Sequence, residues 1–474
     1  MDDLKKKTII STLSLFFQSG YSAFLGLVAN LVLTILLSPA IFGIYIVTLS
    51  IISIFNYFSY IGLAASLIQK KEIDRNDETT AFTVQQLLIV TLVIIGFTLT
   101  KSIKNFYRLP SQGTLLYHAL LVGFFLSSLK TLPSIFLERK IQFQKIVFVQ
   151  IIENTCFYLT VTVLAIFGWG LNSFSLAVII RSIIGVISIY ILFPWKPGIG
   201  FSFPSFKKLV SFGLPFQTAS LLALVKDDLL ILYLGRVLGF QALGYIGWAK
   251  KWTESPIRII MDSLSRVLFP LFSSFQTDSE RLKKIVEKVI YYQSAIIIPA
   301  TFGLALVMGE LIEIIPKYSK WSPALPLFYI FCISALFSSY STPFINLLNG
   351  LSKARISLYF MVFWTVLTWT LVPVLTHLYG SLGFPITLII LSSSFIVVIN
   401  ISKKVVDFSF VKNVFPFFLA SIIMTMVVLS LINLLASSVL ILLLSISGGI
   451  ITYLLTLKVV FKVDFINEIK QLSS

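Results

Sequence analysis

The sequence predicts an all-α polytopic membrane protein, and three observations predict it. Of 474 residues, 57% are hydrophobic and only 12% charged, about half the charged share of a soluble chain. The mean hydropathy is +0.95. The apolar residues gather into about fourteen runs, each long enough to cross a bilayer, parted by short polar segments.

The net charge of +17 does not point to nucleic acid. The cations sit in short segments between apolar runs, the pattern of the positive-inside rule. Cys156 and Cys332 both lie inside apolar runs and read as small buried hydrophobes, with neither a disulfide framework nor a metal site. No GxxxxGK[ST] loop for nucleotide binding occurs. His118 and His377 fall near outer span ends and read as interfacial anchors rather than metal ligands.

Taken in order, Met1 to Lys7 is basic and runs into an apolar stretch without a small-residue cleavage pattern. A retained first helix with a cytoplasmic N-terminus is expected. The spans run roughly over 11–36, 41–69, 80–100, 114–136, 145–167, 171–194, 208–234, 243–270, 286–308, 322–347, 355–377, 383–401, 413–435 and 438–457. In that orientation 24 Lys and Arg lie in cytoplasmic segments, counting Lys145, Lys208, Lys288 and Arg355 at the cytoplasmic span ends with them, 6 in external ones and 7 deeper within spans. An even number of spans returns the C-terminus, with Lys458, Lys462 and Lys470, to the cytoplasm. The loops reach only about 17 residues, too short for an extramembrane catalytic domain. Prolines fall inside spans at Pro133, Pro215, Pro256, Pro299, Pro343, Pro373 and Pro416; each removes a helix hydrogen bond and permits a hinge.

The two halves are weakly alike. LSPAIFGI (Leu37 to Ile44) joins spans one and two, and LGFQALGY (Leu238 to Tyr245) joins spans seven and eight, with Gly43 and Gly244 in corresponding places. The match fits two six-helix lobes in parallel repeat with two helices added, an architecture that places its site between the repeats. The expected organisation is a first lobe at 1–194, a linker at 195–207, a second lobe at 208–401, and two further helices and a tail at 402–474.

Charge inside the spans locates the chemistry. On span eight Lys250, Glu254, Arg258, Asp262 and Arg266 recur every four residues with alternating sign, and Lys251 sits beside them. They form one stripe about 24 Å long. A charge at mid-membrane costs about 2.5–3.5 kcal/mol, so the stripe must face other helices or a wet cavity. Four cations meet two anions, and the excess points to an anionic cargo. Span seven carries Lys226, Asp227 and Asp228, at the depth of Lys250 and Lys251. A pair such as Asp228 with Lys250 is either a brace between helices or a gate. In the first half Glu153 and Arg181 are the deep charges, accompanied by Gln150 and Asn154 on the Glu153 face. Glu153 reads either as a proton or sodium site or as the structural partner of Arg181. The guanidinium of Arg181 matches phosphate oxygens.

Several stretches carry a resemblance to a known family. LERKIQF (Leu137 to Phe143), LVSFGLP (Leu209 to Pro215), LGFQALGYIGWAKKW (Leu238 to Trp252) and RVLFPLFS (Arg266 to Ser273) stand in order. KWSPALPLF (Lys320 to Phe328), NLLNGLSKARISL (Asn346 to Leu358) and YGSLGF (Tyr379 to Phe384) follow. Together they resemble bacterial polysaccharide and O-antigen flippases, within the superfamily that joins multidrug exporters with oligosaccharide-lipid flippases. The resemblance implies two six-helix lobes around a central cavity and twelve or fourteen helices. It implies movement of a polyprenyl-pyrophosphate-linked oligosaccharide across the cytoplasmic membrane, coupled to H+ or Na+, with no cofactor. The family's cationic cavity residue maps onto Lys250, with Lys251 adjacent. Ile246 and Gly247 replace the Tyr and Ser that many members carry there.

On this reading Arg181, Lys250, Lys251 and Arg258 neutralise the pyrophosphate. Glu153, Lys226, Asp227, Asp228, Glu254 and Asp262 are gate or ion-coupling candidates, and a polysaccharide polymerase and chain-length machinery are candidate partners. The rival readings are a multidrug exporter, another lipid-linked precursor flippase (for peptidoglycan or teichuronic acid), a membrane enzyme such as a polymerase or glycosyltransferase, and a scaffold. The cation excess argues against the exporter, the short loops against the enzyme, and the buried stripe against the scaffold.

Overall fold

A computed structural model describes residues 2–60, 62–70, 72–434 and 438–463. Its regular elements are all helical among the described residues. In chain order they are α1 (Asp2–Leu36), α2 (Pro39–Tyr60), α3 (Leu63–Gln69), α4 (Arg75–Thr98), α5 (Thr100–Tyr107), α6 (Ser111–Ser128), α7 (Thr131–Arg139), α8 (Phe143–Ile166), α9 (Asn172–Leu192), α10 (Phe203–Lys226), α11 (Asp228–Ser274), α12 (Ser279–Ile314), α13 (Leu325–Gly350), α14 (Ala354–Tyr379), α15 (Gly383–Ser392), α16 (Phe395–Lys403), α17 (Phe410–Leu434) and α18 (Val439–Val459). Short 3-10 turns at Ser319–Ala324 and Gly380–Leu382 complete the list.

Twelve helical stretches among the described residues are long and apolar enough to cross a membrane. Two of these, Leu224–Arg258 and Ala354–Lys403, each contain a point where the chain folds back. At Gly239 the backbone takes φ +78 and ψ 172, a region open essentially to glycine alone. A Cβ placed on Gly235 would lie 3.4 Å from the Leu243 side chain, although eight residues of unbroken helix span about 12 Å. At Gly380 φ is +59, and Gly383 then packs on the backbone of Leu375 and Thr376. The sequence reading sets separate spans on either side of both points.

The chain forms two compact units, 1–244 and 245–474. The division falls within α11, beyond the 195–207 segment that the sequence marks as a linker. The reason lies in α10, which packs on α2, α3 and α4 of the first unit. In unit 1, α8 packs on α1 and α9, and α6 on α2, α4 and α9. Leu63, Leu67, Ala81, Ile135 and Leu209 form one of its cores. In unit 2, α12 packs on α13 and α17, and α17 on α18. Its larger core joins Leu268, Phe272, Val286, Ile290, Phe344 and Leu347. A second joins Ile298 of α12 with Phe417, Ala420 and Leu457 of the last two helices.

One helix interruption among the described residues follows a span proline, and the others do not. Pro299, Pro343, Pro373 and Pro416 lie inside uninterrupted helices, Pro256 lies in the regular part of α11 beyond Gly239, and Pro133 lies in the first turn of α7, just after the Leu129–Lys130 break that its missing N–H and its ring favour. The side chain of Pro215 lies outside the described residues. Other breaks fall at Gly62 (φ +68) between α2 and α3, at Asp227, and at Ser393–Ser394. A single lost hydrogen bond is tolerated where neighbouring helices hold the chain. A left-handed residue or a turn that must deliver a polar group to a neighbour is not.

Candidate functional site

α11 carries the densest intramembrane charge, and the packing of its other face sets which side stays open. Ile246, Ala249 and Thr253 recur at spacings of three and four, so they share one face, and they are 3%, 0% and 1% exposed. Trp248 adds an aromatic clamp. Its ring stacks on Trp321 at 5.4 Å between centroids, and its indole N–H donates to the Tyr318 hydroxyl at 3.0 Å. The clamp fixes the rotation of the helix, and the charged residues are left on the opposite side.

There Glu254 bridges two cations. Its Oε1 lies 3.8 Å from Lys250 Nζ, and its Oε2 lies 3.6 Å from Arg258 Nη2. Lys250 also stands 5.7 Å above the ring of Phe384, and Lys251 is exposed beside it. The expected four-residue ladder is therefore present from Lys250 to Arg258. Three cations against one carboxylate leave this face with a net charge of +2. The side chains of Asp262 and Arg266 lie outside the described residues. A small apolar pocket between α11 and α12, lined by Thr253, Pro256, Ile257 and Ile297 among others, offers no charge to an anion.

In unit 1 the deep charges pair differently from expectation. Glu153 does not meet Arg181. It is 5% exposed and bonds the Lys130 amine. Lys130 sits in the two-residue break between α6 and α7, and that break lets its amine reach α8. Gly185 on α9 makes the room: a Cβ there would stand 2.6 Å from Glu153 Cδ and 3.0 Å from Lys130 Nζ. Arg181 lies on the exposed side of α9. Its guanidinium is 5.7 Å from the Phe157 ring centroid, and it interacts electrostatically with Tyr45 and Tyr158.

Lys130 is the residue that sequence reasoning missed; its signal was a lone lysine deep in the fourth apolar run. The polar residues around Glu153 tie helices together. Asn154 donates to Ser22 of α1 at 3.0 Å, Thr155 bonds Tyr21 at 2.7 Å, and Gln86 bonds Ser128 at 3.2 Å.

Lys226, Asp227 and Asp228 stand at the interruption between α10 and α11. Asp227 is exposed. Asp228 lies beside the hydroxyls of Ser50 and Ser53 of α2. It thus has partners inside its own unit, as Lys250 has in Glu254. His118 bonds Thr100 at 3.1 Å.

Gly43 and Gly244, matched by the sequence repeat, stand at a reciprocal contact within unit 1. A Cβ on Gly43 would lie 2.6 Å from the Phe240 carbonyl carbon, and one on Gly244 would lie 2.6 Å from that of Pro39. Each hairpin lays its backbone on the other's glycine.

The sequence matches the family model described as "Polysaccharide biosynthesis protein" over residues 32–326. It is 26% identical over 365 residues to the lipopolysaccharide biosynthesis protein WzxC of Escherichia coli K12, covering 76% of this chain and 73% of that protein. It is 20% identical over 337 residues to the succinoglycan biosynthesis transport protein ExoT of Rhizobium meliloti, covering 71% and 67%. The fold resembles that of the lipid II flippase MurJ in an inward closed conformation. The TM-score is 0.74 at 16% identity, over 96% of this chain and 99% of that one.

Proposed function

Since the chain belongs to the polysaccharide biosynthesis protein family, we propose that it is a flippase for a polyprenyl-diphosphate-linked oligosaccharide. It carries an O-antigen, capsule or exopolysaccharide repeat unit from the cytoplasmic to the outer face of the cell membrane. The observation that carries the reading is the open face of α11, where Lys250, Lys251 and Arg258 outnumber Glu254. Cations in excess attract an anion, and the diphosphate is the anionic part of such a lipid. In unit 2 Lys250 and Lys251 supply point charges and Arg258 a planar fork for phosphate oxygens; in unit 1 Arg181 carries a fork of the same kind. An exporter of organic cations would need the opposite sign on this face.

The related WzxC and ExoT act in polysaccharide biosynthesis by name, which supports a glycan head group and a transport role rather than catalysis. The diphosphate and sugars cross by alternating access while the polyprenyl tail stays in lipid. Glu153, Asp228 and Asp262 are the candidate carriers of a coupling H+ or Na+. For Glu153, an entering proton would release Lys130. A polymerase and chain-length machinery would take the exported unit. Both termini are cytoplasmic on this reading, supported by the 24-to-6 distribution of Lys and Arg between the two sides.

The test is accumulation of lipid-linked units on each membrane face in a host that carries the glycan pathway and lacks the gene. The strain is complemented with wild type or with Lys250→Ala/Lys251→Ala. Complete units should pile up on the cytoplasmic face without the protein and with the double variant. Rescue by the double variant would remove the lysines from the site. Normal export without any flippase would overturn the function.

A further inference from the structure

One charged surface lies apart from the site above. α5 (Thr100–Tyr107) continues from α4 after the single residue Leu99, and none of its residues is buried. Lys101, Lys104 and Arg108 recur at spacings of three and four, so they share one face. Leu99, Ile103 and Phe106 share the other. That apolar side is largely uncovered, with Leu99 42% and Phe106 53% exposed. From α11, Arg236 places its guanidinium 5.0 Å from the Phe106 ring centroid.

These cations break the charge pattern of the chain. In the orientation proposed above, the six external Lys and Arg are Lys101, Lys104, Arg108, Arg236, Lys317 and Lys320. Lys317 and Lys320 share their segment with Glu310 and Glu313. The external segments of unit 1, at 37–40, 101–113, 168–170 and 235–242, contain no Asp or Glu. Four cations thus gather around one short helix at the end of a span, with no carboxylate in those segments.

We propose that α5 with Arg236 docks on acidic phospholipid head groups of the leaflet in which α4 ends. Leu99, Ile103 and Phe106 enter the acyl boundary, while Lys101, Lys104 and Arg108 stay at phosphate level. Arg236 holds its guanidinium over the Phe106 ring, a cation–π contact at the boundary between the two levels. Lys101 and Arg108 lie about 10 Å apart along the helix, and side chains on one convex face diverge. That spread suits several singly charged head groups and not one diphosphate. The inference needs only that α5 lies at a span end, and it does not depend on what the protein transports.

The experiment follows hydrogen exchange of a peptide covering residues 99–109. The full-length protein is held in nanodiscs of phosphatidylcholine alone or with one-third phosphatidylglycerol. Phosphatidylglycerol should slow exchange there in the wild type, and 0.5 M salt should reverse the effect. Each removed charge should weaken docking about fivefold, so K101Q/K104Q/R108Q should lose on the order of a hundredfold and show no lipid-dependent protection. K101R/K104R should keep it, and exchange in α8 should stay unchanged in all variants. Equal exchange with and without phosphatidylglycerol overturns the proposal. So does protection that appears only when undecaprenyl diphosphate is added, because the surface would then hold the transported lipid class.

Discussion

Replacing Gly43 by alanine adds one methyl group at the tightest backbone contact between the two hairpins of unit 1. The new carbon would stand 2.6 Å from the Phe240 carbonyl carbon and 2.9 Å from its Cα. Carbon atoms rest at about 3.5–4.0 Å, so the hairpins must part by about 1 Å. The obstacle is backbone, which has no rotamer to change. Overpacking of this kind costs about 1–3 kcal/mol, and the rigid partner puts Gly43→Ala near the upper end. At about 2–4 °C per kcal/mol for a domain of this size, the midpoint of unit 1 should fall by roughly 6–12 °C. Gly244→Ala meets Pro39 in the same way and should behave alike. Because both methyl groups open one interface, the double variant should lose clearly less than the sum. The assay is heating of membranes followed by detergent extraction and size-exclusion chromatography. Unchanged midpoints for both single variants, or a fully additive double variant, would refute the reciprocal contact.

Three further outcomes follow from named contacts. Lys130→Met leaves Glu153 charged and unpaired in unit 1, which costs about 3–5 kcal/mol, whereas Lys130→Met/Glu153→Leu should recover most of that loss; the same heating assay reads both. Gly239→Ala meets nothing within 4 Å, so its cost is backbone strain alone, about 1–3 kcal/mol at φ +78 and ψ 172, and Gly239→Asn should cost about as much in the same assay, because Asn tolerates the αL region well and not this one. Trp248→Ala removes the stack on Trp321 and the bond to Tyr318. It should cost about 3–5 kcal/mol, while Trp248→Phe should cost less, both read as loss of the extractable monodisperse fraction.

The spans, the charge stripe and the matched hairpins were legible because each is a pattern within one stretch of chain. Hydropathy sums over about twenty neighbours, and the four-residue rhythm from Lys250 to Arg258 follows from helix geometry alone. The pairing of Gly43 with Gly244 was legible as a repeat, although its purpose was not. That the two glycines let Pro39 and Phe240 approach depends on residues about 200 positions apart.

Partner choice was the part that sequence could not reach. Glu153 had two deep cations within range of any reasonable guess, Arg181 named and Lys130 overlooked. Which one it met depended on a two-residue break in another helix and on the absence of a Cβ at Gly185. The helix breaks went the same way: proline marks a missing hydrogen bond, but packing decides whether the helix yields. The sequence by itself determined a membrane-spanning helical chain with an excess of cations within its spans. Those properties are sums and periods over adjacent residues. Tertiary structure alone decided which face of α11 stays open, because that is set by Trp248 against Trp321 and Tyr318, side chains some seventy residues away.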